Sequence, residues 1–274
     1  MDGMKEKIKD LTSSLNLHNY NYYVLSEPTI SDFEFDIQLE ELQQLEREYP
    51  QFALLNSPTT RVGGGISKNF KTIPHRYPML SLGNSYSKED IADFEKRAQK
   101  LVEGEIEFIC ELKYDGCAIA LTYKDGTLVQ ALTRGDGSKG EEVTANVRTI
   151  KTIPLQLHGD YPTDFEIRGE IYFPLERFEA LNQKRLLNNE STFMNPRNTA
   201  SGTLKLHDSS VVAERGLDCF LYSIHGDSLL FKSHFEGLSS AGNWGFKVPK
   251  EELNFVKRTN SIDGIMEFID FWSE

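Results

Sequence analysis

Apolar positions recur at helical spacing from the start of the chain: Ile8, Leu11, Leu15, Tyr22 and Leu25 mark one face of a helix predicted over residues 4–25. The segment "SEPTI" breaks that pattern. A second helix is expected from Ser31, because Glu34 stands at capping-box spacing from it. Phe35, Leu39, Leu42 and Leu45 then form the apolar face, down to "YPQF". Acidic residues in the first turn of this second helix suit its N-terminal dipole. The pair reads as a helical hairpin. Between residues 50 and 75 periodicity lapses, and "NSPTTRVGGG" reads as a connector with a boundary near residue 70. Beyond it the period changes to two. "EIEFICEL" and "CAIALTY" are strand-like, and "YKDGTL" supplies an Asp-Gly turn into "LVQALT". Further strands are expected at "DFEIRGEIYF" and "LDCFLYSIH", and helices at 87–102, 174–189 and 234–243. The expected fold is α+β: a helical subdomain over 1–70, then a mixed, mainly antiparallel core over 71–274 with helices on its faces.

Composition changes this picture in two places. The 274 residues carry a formal net charge of -12, so the whole-molecule field repels phosphate backbones and any grip on nucleic acid needs a local patch. The three cysteines are odd in number and lack C-x-x-C spacing. That pattern speaks against a disulfide framework and a zinc knuckle, and fits a reducing cytoplasm. The N-terminus "MDGMKEKIKDL" is charged where a signal peptide would be apolar, and no apolar run reaches membrane-spanning length. A cytoplasmic monomer with no membrane partner is expected.

Candidate chemistry begins at "ELKYDG", residues 111–116. An amine attacks phosphorus or a carbonyl only when neutral, so a nucleophilic Lys113 needs partial desolvation or neighbouring cations. A lysine snorkelling at a strand end is the plainer reading of the tetrapeptide alone. About twenty residues on, "LTRGDGSKGEEVTANVRTI" offers Arg134 and a glycine-rich loop, which could bring backbone amides and a guanidinium to a phosphate or be a polar hairpin turn. In "FEIRGEIYF", period two puts Glu166, Arg168 and Glu170 on one side of a strand, an arrangement that is most often a solvated face.

Taken in order, "ELKYDG", "TRGDG", "EIRGE" and "NPRNTASGTLK" resemble the N-terminal part of the bacterial NAD-dependent DNA ligases, and the resemblance runs along essentially the whole chain. It implies an ATP-grasp-like nucleotidyltransferase core. It also implies that Lys113 attacks the α-phosphorus of NAD, releasing nicotinamide mononucleotide (NMN) and carrying AMP, the first step in sealing nicks in duplex DNA during replication and repair. Glu111 would then contact the adenine, Ser81 and Leu82 in "PMLSLGN" would line the nucleotide pocket, and Asp115 would assist around the lysine and ribose. Arg134 and Glu170 match nucleotide-contacting positions, Arg197 and Lys205 match basic positions near the site, and Tyr222 matches an aromatic that packs on the adenine. Tyr222 also reads as plain core. In the hairpin, Tyr22, Tyr23, Asp32, Phe35 and Asp36 match the family's mononucleotide-recognition positions, Phe35 standing where the family often has tyrosine. Asp32 and Asp36 read equally well as helix-dipole compensation.

The partners so implied are NAD, AMP and NMN, with magnesium (or manganese) riding on phosphates rather than held in a protein cage. Nicked duplex DNA is the partner of the full-length enzyme, held weakly by this chain. The family's "DGVVIK" strand and later domains, its zinc module included, do not occur in the sequence, so a truncated core is expected, unable to ligate alone. Two alternatives stay open here: an NAD-binding fragment without turnover, and an ATP-dependent member of the superfamily.

Overall fold

The computed structural model describes residues 2–61, 69–227, 229 and 231–273; the "GGG" of the expected connector lies outside them. In chain order the first elements are helices α1 (Asp2–Tyr20) and α2 (Asp32–Glu48), strand β1 (Thr72–Pro74), helix α3 (Lys88–Gln99) and strands β2 (Phe108–Glu111), β3 (Cys117–Lys124), β4 (Thr127–Thr133) and β5 (Lys139–Glu141). There follow α4 (Thr144–Val147), β6 (Asp164–Tyr172), α5 (Leu175–Leu187), α6 (Pro196–Leu204), α7 (Ser209–Arg215), β7 (Asp218–His225), α8 (His234–Asn243), β8 (Val256–Thr259) and α9 (Ile262–Ser273).

The chain divides into two compact units, one of Met1–Pro78 with Tyr114–Val248 and the other of Met79–Lys113 with Pro249–Glu274. In the first, α1 and α2 close on Ile8, Leu15 and Leu42, with Leu11, Phe35, Leu39 and Leu45 packed around them. The capping box forms as its spacing requires: Glu34 N–H donates to Ser31 Oγ at 3.2 Å and Ser31 N–H to Glu34 Oε2 at 2.9 Å. Helix α1 ends earlier than its apolar face suggests. Residues Asn21–Leu25 widen into a π-helical turn that stops at left-handed Ser26 (φ 57°), the kind of local unwinding that re-aims side chains.

The rest of this unit is built on an antiparallel sheet of order β4-β3-β6-β7, with β1 and β5 as a separate ribbon. Cross-strand partners in β3 and β6 share a face, so Ile119, Leu121 and Tyr123 meet Ile167 and Phe165 in one fully buried layer. Ala200, Leu204, Val212, Trp244 and Phe246 join the same core. The opposite face carries the polar residues of β6, and there the structure corrects the solvated-face reading. Glu166 and Arg168 are 2% and 8% exposed and pair at 2.8 Å. Arg168 also donates to the carbonyls of Pro78 at 3.0 Å and Tyr77 at 2.5 Å. The space comes from Ala120, the register partner of Arg168, whose methyl leaves room for a guanidinium.

The second unit pairs β2 with β8 and packs α3 and α9 against them, with Met79, Phe108, Val256 and Phe268 as its buried apolar residues. Helix α3 starts on Ser87, whose hydroxyl accepts from Asp90 N–H at 3.1 Å. None of the described helices is long and apolar enough to cross a membrane.

Candidate active site at the mouth of β3

Lys113 is the last residue of the second unit and Tyr114 the first of the other. On the near side, Glu111 closes β2 in register with Val256, and Leu112 N–H reaches Phe255 O at 3.4 Å. On the far side, the Tyr114 ring stacks on Phe220 with centroids 4.4 Å apart and planes 11° from parallel. Gly116 passes so close to β6 that a Cβ there would lie 2.1 Å from Ile171 O, so the turn after Asp115 requires glycine. The lysine is thus fixed at its backbone, through residues before and after it. Its side chain is exposed, without a hydrogen-bond or ion-pair partner among the described residues. Strand β2 ends at Glu111, two residues before the lysine, so Lys113 lies outside the ladder.

Around the mouth of β3 the first unit collects charged groups from four segments. Arg197, in the first turn of α6, donates to Asp115 Oδ1 at 3.1 Å. Lys205, at the end of α6, pairs with Glu141 of β5. The Cys117 thiol is raised by burial, an effect opposed by its hydrogen bond with Ser201 and by Lys205 and Arg197, and reinforced by Glu170. These named groups therefore share one neighbourhood. Ala118 stands between two of the candidates: Glu170 is its register partner in β6, while Arg134 N–H donates to Ala118 O at 3.2 Å from the β4 side. With strands about 4.8 Å apart, the backbones of Arg134 and Glu170 flank Ala118 on its two sides.

The glycine-rich loop does not offer a cradle of open amides. Asp136 Oδ1 accepts from Ser138 N–H at 2.9 Å and Lys139 N–H at 3.0 Å, and Gly137 N–H reaches Arg134 O at 3.0 Å. The hydroxyl and amides of Ser138, followed by the amide of Lys139, hold the exposed Asp136 carboxyl down at about 2. The loop is a self-satisfied turn that presents Arg134. Tyr222 falls beside the irregularity in the β6–β7 register, at Arg168/Gly169, and is half-buried rather than core. Ser81 and Leu82 lie in the second unit, both exposed.

In the hairpin the π turn sets the rings of Tyr22 and Tyr23 4.7 Å apart. Lys151 donates to Tyr23 Oη at 2.7 Å and sits 4.8 Å from that ring's centre. Asp32 and Asp36 are exposed, one turn apart in the first half of α2. Phe35 is different: its ring packs into the hairpin core, away from the exposed side. Sequence reasoning missed Tyr114, Lys151 and the Glu166–Arg168 clamp. Only the clamp left a trace, the period-two charges of "EIRGE", and solvation was the more economical reading of it.

Comparison with known proteins adds the decisive observation. A model of the NAD-dependent DNA ligase adenylation domain matches residues 67–274, and a model of the DNA ligase-like, N-terminal NAD+-binding domain matches residues 1–63. The chain belongs to the NAD-dependent DNA ligase family. Proteins named DNA ligase from Flavobacterium johnsoniae and Flavobacterium psychrophilum are 55% and 54% identical over 98% of this chain. One from Bacteroides fragilis is 51% identical over the same share. The chain spans about 40% of the length of these curated relatives. Membership in an NAD-dependent family removes the ATP-dependent alternative.

Proposed function

We propose that this chain performs the adenylation step of an NAD-dependent DNA ligase, with Lys113 as nucleophile and NAD as the substrate consumed. The neutral amine attacks the α-phosphorus. The new N–P bond forms as the P–O bond to the mononucleotide breaks, the amine proton passes to solvent, and NMN leaves with its own phosphate. AMP stays on Lys113 as a phosphoramidate. The observation that carries this reading is the unpartnered, exposed Lys113 amine on a backbone pinned by Tyr114 and Gly116, next to the Asp115–Arg197 pair. A reacting amine needs freedom at its tip and none at its base.

Arg134, Arg197 and Lys205 supply cations for phosphate oxygens, and Glu170, beside Ala118, supplies a carboxylate for ribose hydroxyls. Glu111 contacts the adenine, Ser81 and Leu82 line the nucleotide pocket, and Tyr222 packs on the adenine. Tyr22, Tyr23, Asp32 and Asp36 bind the departing mononucleotide, the rings facing its cationic base; Phe35 contributes by packing the helix that carries the two aspartates. Magnesium rides on the phosphates of NAD, where it neutralises charge. Nicked duplex DNA is the substrate of the later steps in the longer relatives' architecture, and a monomer in the cytoplasm is the working form.

Intact-protein mass spectrometry after incubation with NAD and magnesium tests the reading. The mass rises by one AMP with NAD and not with ATP, and Lys113→Ala abolishes the gain. An unmodified chain that is nonetheless stabilised by NAD reduces it to a binding fragment and overturns the proposal.

A further inference from the structure

A cavity of about 290 Å³ lies between α1 with its π turn and the loop over residues 150–158. Arg61, Lys151 and His158 all line it, and no aspartate or glutamate does. That is unexpected in a chain with 42 acidic residues against 30 lysines and arginines. Arg61 is 6% exposed and spends its terminal nitrogens on the backbone, reaching Arg148 O at 3.0 Å, Ile150 O at 2.7 Å and Ile153 O at 2.8 Å. Its Nε has no partner among the described residues, and neither has the buried acceptor Asn16 Oδ1. Burial brings the Arg61 guanidinium down to about 10, and the opposing influences are Tyr123 and Tyr23 rather than any carboxylate. A buried cation without a counter-ion is a costly arrangement that an anion would relieve.

The remaining walls mix uncharged polar side chains, Asn16, Asn19, Thr152 and Gln156 among them, with apolar ones. Leu17, Val24, Leu155 and Leu157 contribute to them, and the Tyr20 ring meets the His158 ring edge-on at 4.5 Å. Burial holds His158 below the usual imidazole range, so it adds a ring face more than a charge. We propose that this cavity binds a small organic anion: a compact apolar body carrying one oxyanion group, carboxylate or phosphate. The charged end meets Lys151 Nζ and lies in the field of the Arg61 guanidinium, whose Nε is buried behind the wall, and the body fills the space between the leucines and the Tyr20–His158 pair. Cavity volume near the lower end of known ligand pockets sets the size of the body at about one ring. The ligand would touch α1 and the 150–158 loop together, and so tie the hairpin to the sheet. Lys113, Asp115 and Glu170 do not line the cavity, so the proposal is independent of the adenylation reading.

Titration of the ¹⁵N-labelled chain with benzoate, and separately with phenyl phosphate, tests this by NMR. At least one probe shifts the Arg61 Nε–H, the Gln156 side-chain amide and the Gly245 amide, all at the cavity wall. Benzyl alcohol, which has the same ring without the charge, binds about tenfold more weakly. Lys151→Ala weakens the charged probe about fivefold, as expected for one part-exposed ion pair. Absence of cavity shifts with both anions overturns the proposal. So does benzyl alcohol binding as tightly as benzoate, since the site would then be an apolar void only, or an affinity that Lys151→Ala leaves unchanged.

Discussion

Single residues at the mouth of β3 divide into those that shape the backbone and those that face solvent. Gly116 is of the first kind. Gly116→Ala would drive a methyl into Ile171 O, which a Cβ would approach to 2.1 Å, and the strain expected from such overpacking is about 1–3 kcal/mol. The melting temperature of this variant falls, and adduct formation falls with it, because Lys113 is three residues away on the same pinned segment. Arg197 is of the second kind. Its pair with Asp115 is 55% and 69% exposed at the two side chains, so Arg197→Ala leaves stability within about 0.5 kcal/mol. The rate of AMP transfer drops on the order of a hundredfold, as for the loss of one aligned donor. Single-turnover mass spectrometry alongside calorimetry separates the two cases.

Strand β6 carries a buried ion pair, Glu166 with Arg168, on the same face as the site candidate Glu170. Glu166→Gln would leave Arg168 charged and buried with only carbonyl partners, a change expected to cost about 3–5 kcal/mol. Urea denaturation measures it; a cost under about 1 kcal/mol would mean that the clamp on the Tyr77 and Pro78 carbonyls suffices for the guanidinium. The end of β7 adds a pH effect. His225 packs on Tyr77, and burial, then the charges of Arg168 and His234, push its imidazole down from 6.5 to about 4. Between those values the unfolded chain binds a proton that the folded chain refuses, so stability is full above pH 6.5 and declines as pH falls toward 4. Thermal midpoints across that window fall with pH in the parent chain, and the slope is shallower in His225→Gln.

At the scale of the whole molecule the two units differ in how much they bury. The sheet unit has a continuous core through β3, β6 and β7, whereas the other unit relies on Met79, Phe108, Val256 and Phe268 around a two-stranded ribbon. Local opening follows buried apolar contact. Amide hydrogen exchange is therefore slowest in β3 and β6, and the slowest amides of β2 and β8 exchange well before them. Equal protection in both units would contradict this ordering. The net charge of -12 belongs to this scale too: the whole-molecule field repels anions, so a site for one needs a local cluster of cations.

The sequence by itself determined the helical hairpin, through helical periodicity and the Ser31–Glu34 capping box, and the β3–β4 hairpin, through period-two alternation and the Asp125-Gly126 turn. It also determined the family, because "ELKYDG", "TRGDG", "EIRGE" and "NPRNTASGTLK" are local strings whose order survives without coordinates. The tertiary structure decided everything that depends on residues distant in the chain. The short strands β1, β5 and β8 exist only because partners 65 or more residues away complete them, as with Pro74 and Lys139 or Phe108 and Thr259. Period two placed Glu166, Arg168 and Glu170 on one face but could not say that Tyr77 and Pro78 would cover two of them. Burial is a property of what packs on top, and no local pattern records it.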